Sequence, residues 1–212
     1  MKGIIGKKLG MTQIYTDAGI LVPVTVVEAG PCTVLALRTK ADHGYSAVQL
    51  GFGTRKAKNT SKAARGHVAK AGLQDTPPKK IKEFRTKEDP AFKVGDALKA
   101  DVFAANDFVD VTAITKGRGF TGVVRRWAFK GGRASHGGAW TRRPGSIGMR
   151  AKPGKVYKGR RMPGHYGNET CTVQNLQVVK VRLEENLLMV KGSVPGPIGG
   201  VVIIRGAVKN GK

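Results

Sequence analysis

The sequence predicts a mainly β protein: a small antiparallel barrel or sandwich with short helices, into which a long irregular basic arm is inserted between strands. Three observations lead there. Short runs rich in β-branched residues follow one another from Gly3 to Arg38, with turn residues between them and no helical periodicity. Residues 111–168 then hold fourteen Lys and Arg and no acid, the flanking acids being Asp110 and Glu169. Beyond that stretch the strand pattern returns and runs to Arg205, so the arm interrupts one β domain instead of following it. The expected division is a first barrel segment over 1–110, carrying a basic helical insertion at about 55–90, an arm over 111–168, and barrel completion over 169–212.

In chain order, strands are expected at Ile4-Ile5 and Thr12 to Thr16, then a turn at Asp17-Ala18-Gly19 and a strand from Ile20 to Glu28. Within the last of these Val22, Val24 and Val26 alternate with Pro23, Thr25 and Val27, and Pro23 points to an edge or a strand start. A break at Gly30-Pro31 precedes strands at Cys32 to Arg38 and Ser46 to Gly51. Ser61 is placed to cap a helix from Lys62 to Ala71 that Gly72 ends. Pro77-Pro78 breaks the chain, Ile81 to Arg85 reads as a strand, Phe92 to Asp96 as a turn, and Val109 to Thr115 as the strand that enters the arm. Val123 to Phe129 fits a short helix, and Thr170 to Leu183, Leu187 to Lys191 and Val201 to Arg205 are the closing strands.

The arm cannot build its own core. Between Lys130 and Asn168 its only branched aliphatic residues are Ile147 and Val156, while Gly and Pro recur, as in Pro144-Gly145, Pro153-Gly154 and Pro163-Gly164. Ordering a backbone costs roughly 1–2 kcal/mol per residue, so such a segment needs contacts from a partner, and its charge makes that partner a polyanion. The formal charge of +24 on 212 residues, with a pI near 10.5, points to nucleic acid or an anionic membrane surface. No apolar run of bilayer length occurs, and the start of the chain enters a strand pattern at once, so the protein reads as cytosolic. Cys32 and Cys171 stand alone and suggest neither a disulfide framework nor a zinc site.

Gly117-Arg118-Gly119-Phe120-Thr121-Gly122 matches the dinucleotide fingerprint literally, yet the acid that would hold a ribose is missing until Glu169 and no parallel βαβ unit surrounds it. Glycines that bring backbone close to phosphate, with charge from Lys116, Arg118, Arg125 and Arg126, are the better account. Aromatics alternate with these cations. Trp127 and Phe129 are expected to pack the short helix onto the barrel, whereas Trp140, between two glycines and Arg142-Arg143, is expected to contact RNA bases. A second acid-free stretch carries Arg55, Lys56, Lys58, Lys62, Arg65 and Lys70, to be read as a solvated helix face or as phosphate contacts, the latter favoured by their number. His136 and His165 have no carboxylate nearby to make either a base, so neither catalysis nor a metal or other cofactor is expected.

Phe103, Asp110, Ala113, Thr115, Gly117-Arg118-Gly119, Gly122 and Arg126 stand at the spacing of the signature of the large-ribosomal-subunit protein three family. Gly6 to Thr12, Arg143 to Gly148, Pro153 to Gly159 and Met162 to Asn168 also resemble its bacterial branch, so the likeness spans essentially the whole chain. The resemblance implies a six-stranded barrel and an arm threaded through 23S rRNA toward the peptidyl transferase centre. It further implies a part in early subunit assembly, rRNA contacts near the 3′ end, and neighbours that include large-subunit proteins fourteen and nineteen. The residues expected to meet rRNA are Lys116, Arg118, Arg125, Arg126, Lys130, Arg133, His136, Trp140, Arg142, Arg143, Ser146, Met149, Arg150, Lys152, Lys155, Lys158, Arg160, Arg161 and His165, with Lys56, Lys58, Lys62 and Arg65. Some bacterial members carry a methylated glutamine where this chain has Met149, which puts that modification in doubt here.

Overall fold

In the computed structural model, residues 2–16, 19–86 and 91–210 are described. The strands in chain order are β1 (Gly3–Tyr15), β2 (Leu21–Ala29), β3 (Cys32–Arg38), β4 (Ala47–Thr54), β5 (Pro78–Arg85), β6 (Ala97–Leu98), β7 (Phe108–Ile114), β8 (Phe120–Thr121), β9 (Gly164–His165), β10 (Thr170–Arg182), β11 (Leu187–Lys191) and β12 (Val201–Gly206). Helices α1 (Lys40–His43), α2 (Lys62–Val68) and α3 (Val123–Trp127) are short. The chain folds as two compact units, one formed by residues up to Ile114 with those from Thr170 onward, the other by Thr115–Glu169.

The larger unit contains a closed six-stranded barrel in the order β1-β12-β7-β10-β11-β2, every neighbouring pair antiparallel. Its strands are made where Val, Ile and Leu recur, and closure leaves the barrel body without an edge. Ile4, Val27, Val109, Val111, Val178, Leu188, Val190, Val202 and Ile204 are buried in one core. Asn175 takes a positive φ where β10 shifts register between Val173 and Leu176. Its amide donates to the buried Asp110 carboxylate, which also accepts from the Val208 amide, so the bulge and the buried acid satisfy each other.

Two expectations are corrected here. Ile4-Ile5 and Thr12 to Tyr15 are parts of one strand, β1, bent by a register shift between Lys8 and Gly10, and Thr16 lies just past its end. Cys32 to Arg38 and Ser46 to Gly51 lie outside the barrel, as β3 and β4 of a second sheet ordered β5-β4-β3-β6, whose Val34, Val48, Leu50 and Phe84 join the same core. Pro78 opens β5 at the edge of that sheet, where its missing N–H costs no ladder bond. The basic insertion is thus helical only over 57–71, its continuation at 78–85 being a strand, and its last residues, 87–90, lie outside the described residues. So do Asp17 and Ala18 of the expected turn. The α2 reading holds: Ser61 accepts from the Ala64 amide, a 3-10 turn extends α2 to Ala71, and Gly72 closes it in the left-handed region.

Candidate nucleic-acid interface

The smaller unit is held by backbone pairing where its two ends meet. The Thr115 amide donates to the Glu169 carbonyl at 2.9 Å, Arg118 to Tyr166 at 2.9 Å and Tyr166 to Gly119 at 3.0 Å, and β8 pairs with β9 through Phe120↔His165 and Thr121↔Gly164. Gly167 sits at φ 74, and a Cβ there would lie 2.1 Å from the Lys116 carbonyl oxygen, so only glycine allows the strands this approach. Helix α3 is anchored across the unit: Arg126 Nη1 and Trp127 Nε1 both donate to the Met162 carbonyl, at 2.7 and 2.9 Å. Val123, the first residue of α3, is one of the unit's few buried side chains.

Beyond this base almost nothing is buried. The Gly132 and Arg143 amides both donate to the Trp140 carbonyl, and a Cβ on Gly131 would lie 2.0 Å from the Thr141 carbonyl oxygen. Further along, Ser146 Oγ donates to the Gly148 carbonyl at 2.9 Å, and the Arg160 guanidinium donates to the Ser146 carbonyl. Ile147, Met149, Val156 and Tyr157 are exposed around this bend.

Electrostatically the unit is one-sided. Among the described residues the ion pairs are Lys2–Asp107, Arg38–Glu83 and Arg182–Glu185, none of them in this unit. Its cations associate instead with rings, Arg118 over Tyr166 at 5.3 Å, Arg143 over Trp140 at 5.9 Å and Lys155 over Tyr157 at 6.0 Å, while Arg126 and Arg161 both lie over Trp127, at 4.9 and 5.6 Å. A guanidinium stacked this way keeps N–H groups at its edge for an incoming oxyanion. The fingerprint at Gly117–Gly122 leads into a five-residue helix beside an antiparallel ribbon, so no dinucleotide-binding βαβ unit is formed.

The larger unit carries the second basic surface. Lys56, Lys58, Lys62 and Arg65 are exposed on and before α2. That segment is tethered through His67 Nε2, 2.5 Å from Gln49 Oε1, and Gln49 Nε2 donates to Glu83 Oε1 at 3.1 Å. Burial alone would raise the Glu83 pKa, but donation from Tyr45 and Gln49 and the nearby Arg38 outweigh it and hold the carboxyl below its ordinary value. Among the described residues no cluster of His, Cys, Asp and Glu could hold a metal ion, and no helix is long and apolar enough to cross a membrane.

A family described as Ribosomal protein L3 matches residues 82–186, a span that contains the whole smaller unit. Three curated relatives, each named large ribosomal subunit protein uL3, align over nearly all of both chains. The protein of Brachyspira pilosicoli is 51% identical over 99% of this chain and 95% of its own, and that of Alkaliphilus metalliredigens 50% identical over the whole of both. The protein of Pelotomaculum thermopropionicum is 51% identical over 98% of each. The chain belongs to the ribosomal protein L3 family. It is therefore a structural ribosomal protein of the large subunit, located with the ribosome in the cytoplasm, and not an enzyme.

In this L3-family protein all the residues expected from sequence to meet rRNA are exposed except Arg126, which is half-buried. The structure brings Arg118, Arg126 and Arg161 together at the base of the arm through Tyr166 and Trp127. It sets Arg133, His136, Trp140, Arg142 and Arg143 on the following loop, and Ser146, Met149, Arg150, Lys152, Lys155, Lys158 and Arg160 around the bend. Lys116, Arg125, Lys130 and His165 are exposed singly. Trp127, expected to pack α3 onto the barrel, finds its partners within the arm. Sequence reasoning missed Lys79, Lys80 and Lys82, exposed on edge strand β5, although their close spacing was a readable signal. It also missed the Met162 carbonyl, which as a backbone atom carries none.

Proposed function

We propose that this protein binds 23S rRNA directly, with the arm as the main contact and the α2 surface as a second, and that it thereby supports early assembly of the large subunit. One observation carries the reading: fourteen cations, without a single acid from Thr115 to Asn168, lie on a unit that has almost no buried side chains of its own. Phosphate is the ligand that so many uncompensated charges fit, and bound phosphates release counterions to drive association. Arg118, Arg125, Arg133, Arg142, Arg143, Arg150, Arg161 and the arm lysines supply those contacts, while Trp140 and Tyr157 offer ring faces to unpaired bases. The exposed bend at 147–152 is the part we read as reaching toward the peptidyl transferase centre, where it holds rRNA in place without chemistry of its own. Large-subunit proteins of the fourteen and nineteen families are proposed neighbours.

Sedimentation of a cell lysate tests the reading, combined with ultraviolet cross-linking of the arm in purified large subunits. Nearly all the protein should travel with large subunits, and peptides from 115–169 should carry cross-linked 23S rRNA. An arm that remains free of RNA and open to protease in assembled particles would overturn it.

A further inference from the structure

Just beyond α3 the arm folds around a half-open cavity of about 250 Å³, whose lining includes Phe129, Lys130, Gly131, Gly132, Trp140 and Arg143. Its walls are fixed. Ala128 ends α3 in the left-handed region, at φ 58, and the Phe129 amide donates to the Val123 carbonyl at 3.5 Å, which ties Phe129 to the helix. At the other end of the loop the Gly132 amide donates to the Trp140 carbonyl at 3.1 Å. A Cβ on Gly132 would lie 2.8 Å from Trp140 Cβ, so Trp140 sits against backbone that only glycine leaves bare.

The lining combines two kinds of chemistry. Phe129 is half-buried and Trp140 is 59% exposed, so both rings offer apolar faces. The polar side-chain groups are the Lys130 ammonium, the Arg143 guanidinium and the Trp140 indole N–H, all of them donors. Among the described residues no side-chain acceptor lines the cavity, and no acid occurs from Thr115 to Asn168. A hydrocarbon occupant would strip water from the cations and give them nothing in return, and a bare phosphate would leave the rings unused. What matches both is a flat ring with adjacent acceptors on one edge and a negative charge attached. Pockets for drug-sized ligands span roughly 300–1,000 Å³, so this smaller one suits a single ring system. Guanine alone presents two neighbouring acceptors, O6 and N7. Adenine sets an amino donor beside N7, cytosine presents its N4 amino group, and uracil offers O4 by itself.

We propose that this cavity takes one unpaired guanine of an RNA strand, stacked against Phe129 and Trp140, with its O6 and N7 edge on Lys130 and its phosphate on Arg143. Arg143 lies over one face of Trp140, at 5.9 Å, so the base takes the other face and the guanidinium edge stays free for the phosphate. A strand is favoured over a free nucleotide because Arg133 and Arg142 are exposed on the same loop, where they meet flanking phosphates. This rests on the arm as the rRNA contact and adds a base preference, which phosphate contacts do not carry.

The test titrates the full-length chain, by fluorescence anisotropy, into labelled uridine decamers that carry guanine, adenine or no base at one central position. The three have equal charge, so phosphate contacts alone would bind them equally. The guanine decamer should bind about tenfold tighter than the abasic one and about fivefold tighter than the adenine one. Lys130→Ala should bring the guanine-to-adenine ratio to within about twofold of unity, and Trp140→Ala should do the same for the guanine-to-abasic ratio. Trp140→Phe should keep both ratios, and Arg133→Gln should weaken every decamer alike while keeping them too. Equal binding of the three decamers by the parent chain would overturn the cavity's role, as would ratios untouched by Lys130→Ala and Trp140→Ala. So would displacement of the guanine decamer by an equal concentration of guanosine monophosphate, which would make the occupant a free nucleotide. Failure of every decamer to bind at low salt would instead bring down the arm as an RNA contact, and the guanine site with it.

Discussion

Replacing Arg142, Arg143, Arg160 and Arg161 together by Gln should lower the salt dependence of rRNA binding by less than four charges suggest. Arg142 is exposed, and Arg143 and Arg161 rest on the Trp140 and Trp127 rings with their edges free. Arg160 is different, because its guanidinium is engaged with the Ser146 carbonyl and closes the bend. Three phosphate contacts are thus expected to vanish. At about 0.7 per contact in a single strand and 0.9 in a duplex, the slope of log affinity against log salt should fall in magnitude by about 2 to 3. Fluorescence anisotropy of a labelled 23S rRNA fragment, titrated with the full-length chain from about 50 to 300 mM KCl, reads this directly. Arg160→Gln alone should leave the slope unchanged while making the bend more sensitive to protease. A quadruple variant with the parent's slope would show that these arginines do not meet phosphate. A single Arg160→Gln change that lowers the slope by a full contact would refute the division of roles.

Three further outcomes are expected. Replacing residues 117–166 by a short Gly-Ser linker should preserve a cooperative thermal transition, since no residue of the arm belongs to the barrel core; loss of that transition would make the arm part of the core. Gly167→Ala, which puts a Cβ 2.1 Å from the Lys116 carbonyl at a positive φ, should open the base of the arm to limited proteolysis and leave the barrel's melting temperature within a few degrees of the parent's. Burial raises the Cys32 pKa to about 11, so at pH 8 a thiol reagent should modify the exposed Cys171 and spare Cys32 until the protein unfolds; by the same shift Cys32 makes the fold lose stability as pH rises from about 9 to about 11.

Local signals in the sequence carried a good part of this structure. Ser61 and Gly72 delimit α2 because caps are set by a few adjacent residues, and the acid-free run from Val111 to Asn168 announces the arm through composition alone. What remained hidden was non-local. β3 follows β2 after only Gly30-Pro31 and has the same β-branched character, so nothing near it says that it leaves the barrel for a second sheet. The bend of β1 near Gly10 looks like a gap between two strands because a register shift interrupts the pattern without ending the pairing. In the arm, exposure of the cations follows from charge, but the engagement of Arg126 and Arg160 with carbonyls does not, because a carbonyl oxygen is present at every residue. Tyr15 and Leu21 fall in stretches that the sequence marks only as strand, and their exposure is seen only in the structure.

The arm leaves and re-enters the barrel at a single rung: Ile114 pairs with Thr170, and the next residues, Thr115 and Glu169, are already bonded to each other. To the barrel, then, the inserted segment is a loop closed at that rung. Closing a flexible loop twice as long adds only about 0.6 kcal/mol. Insertions and deletions beyond that rung can therefore accumulate almost neutrally for folding, and the length of the segment is left to be selected by whatever it has to span.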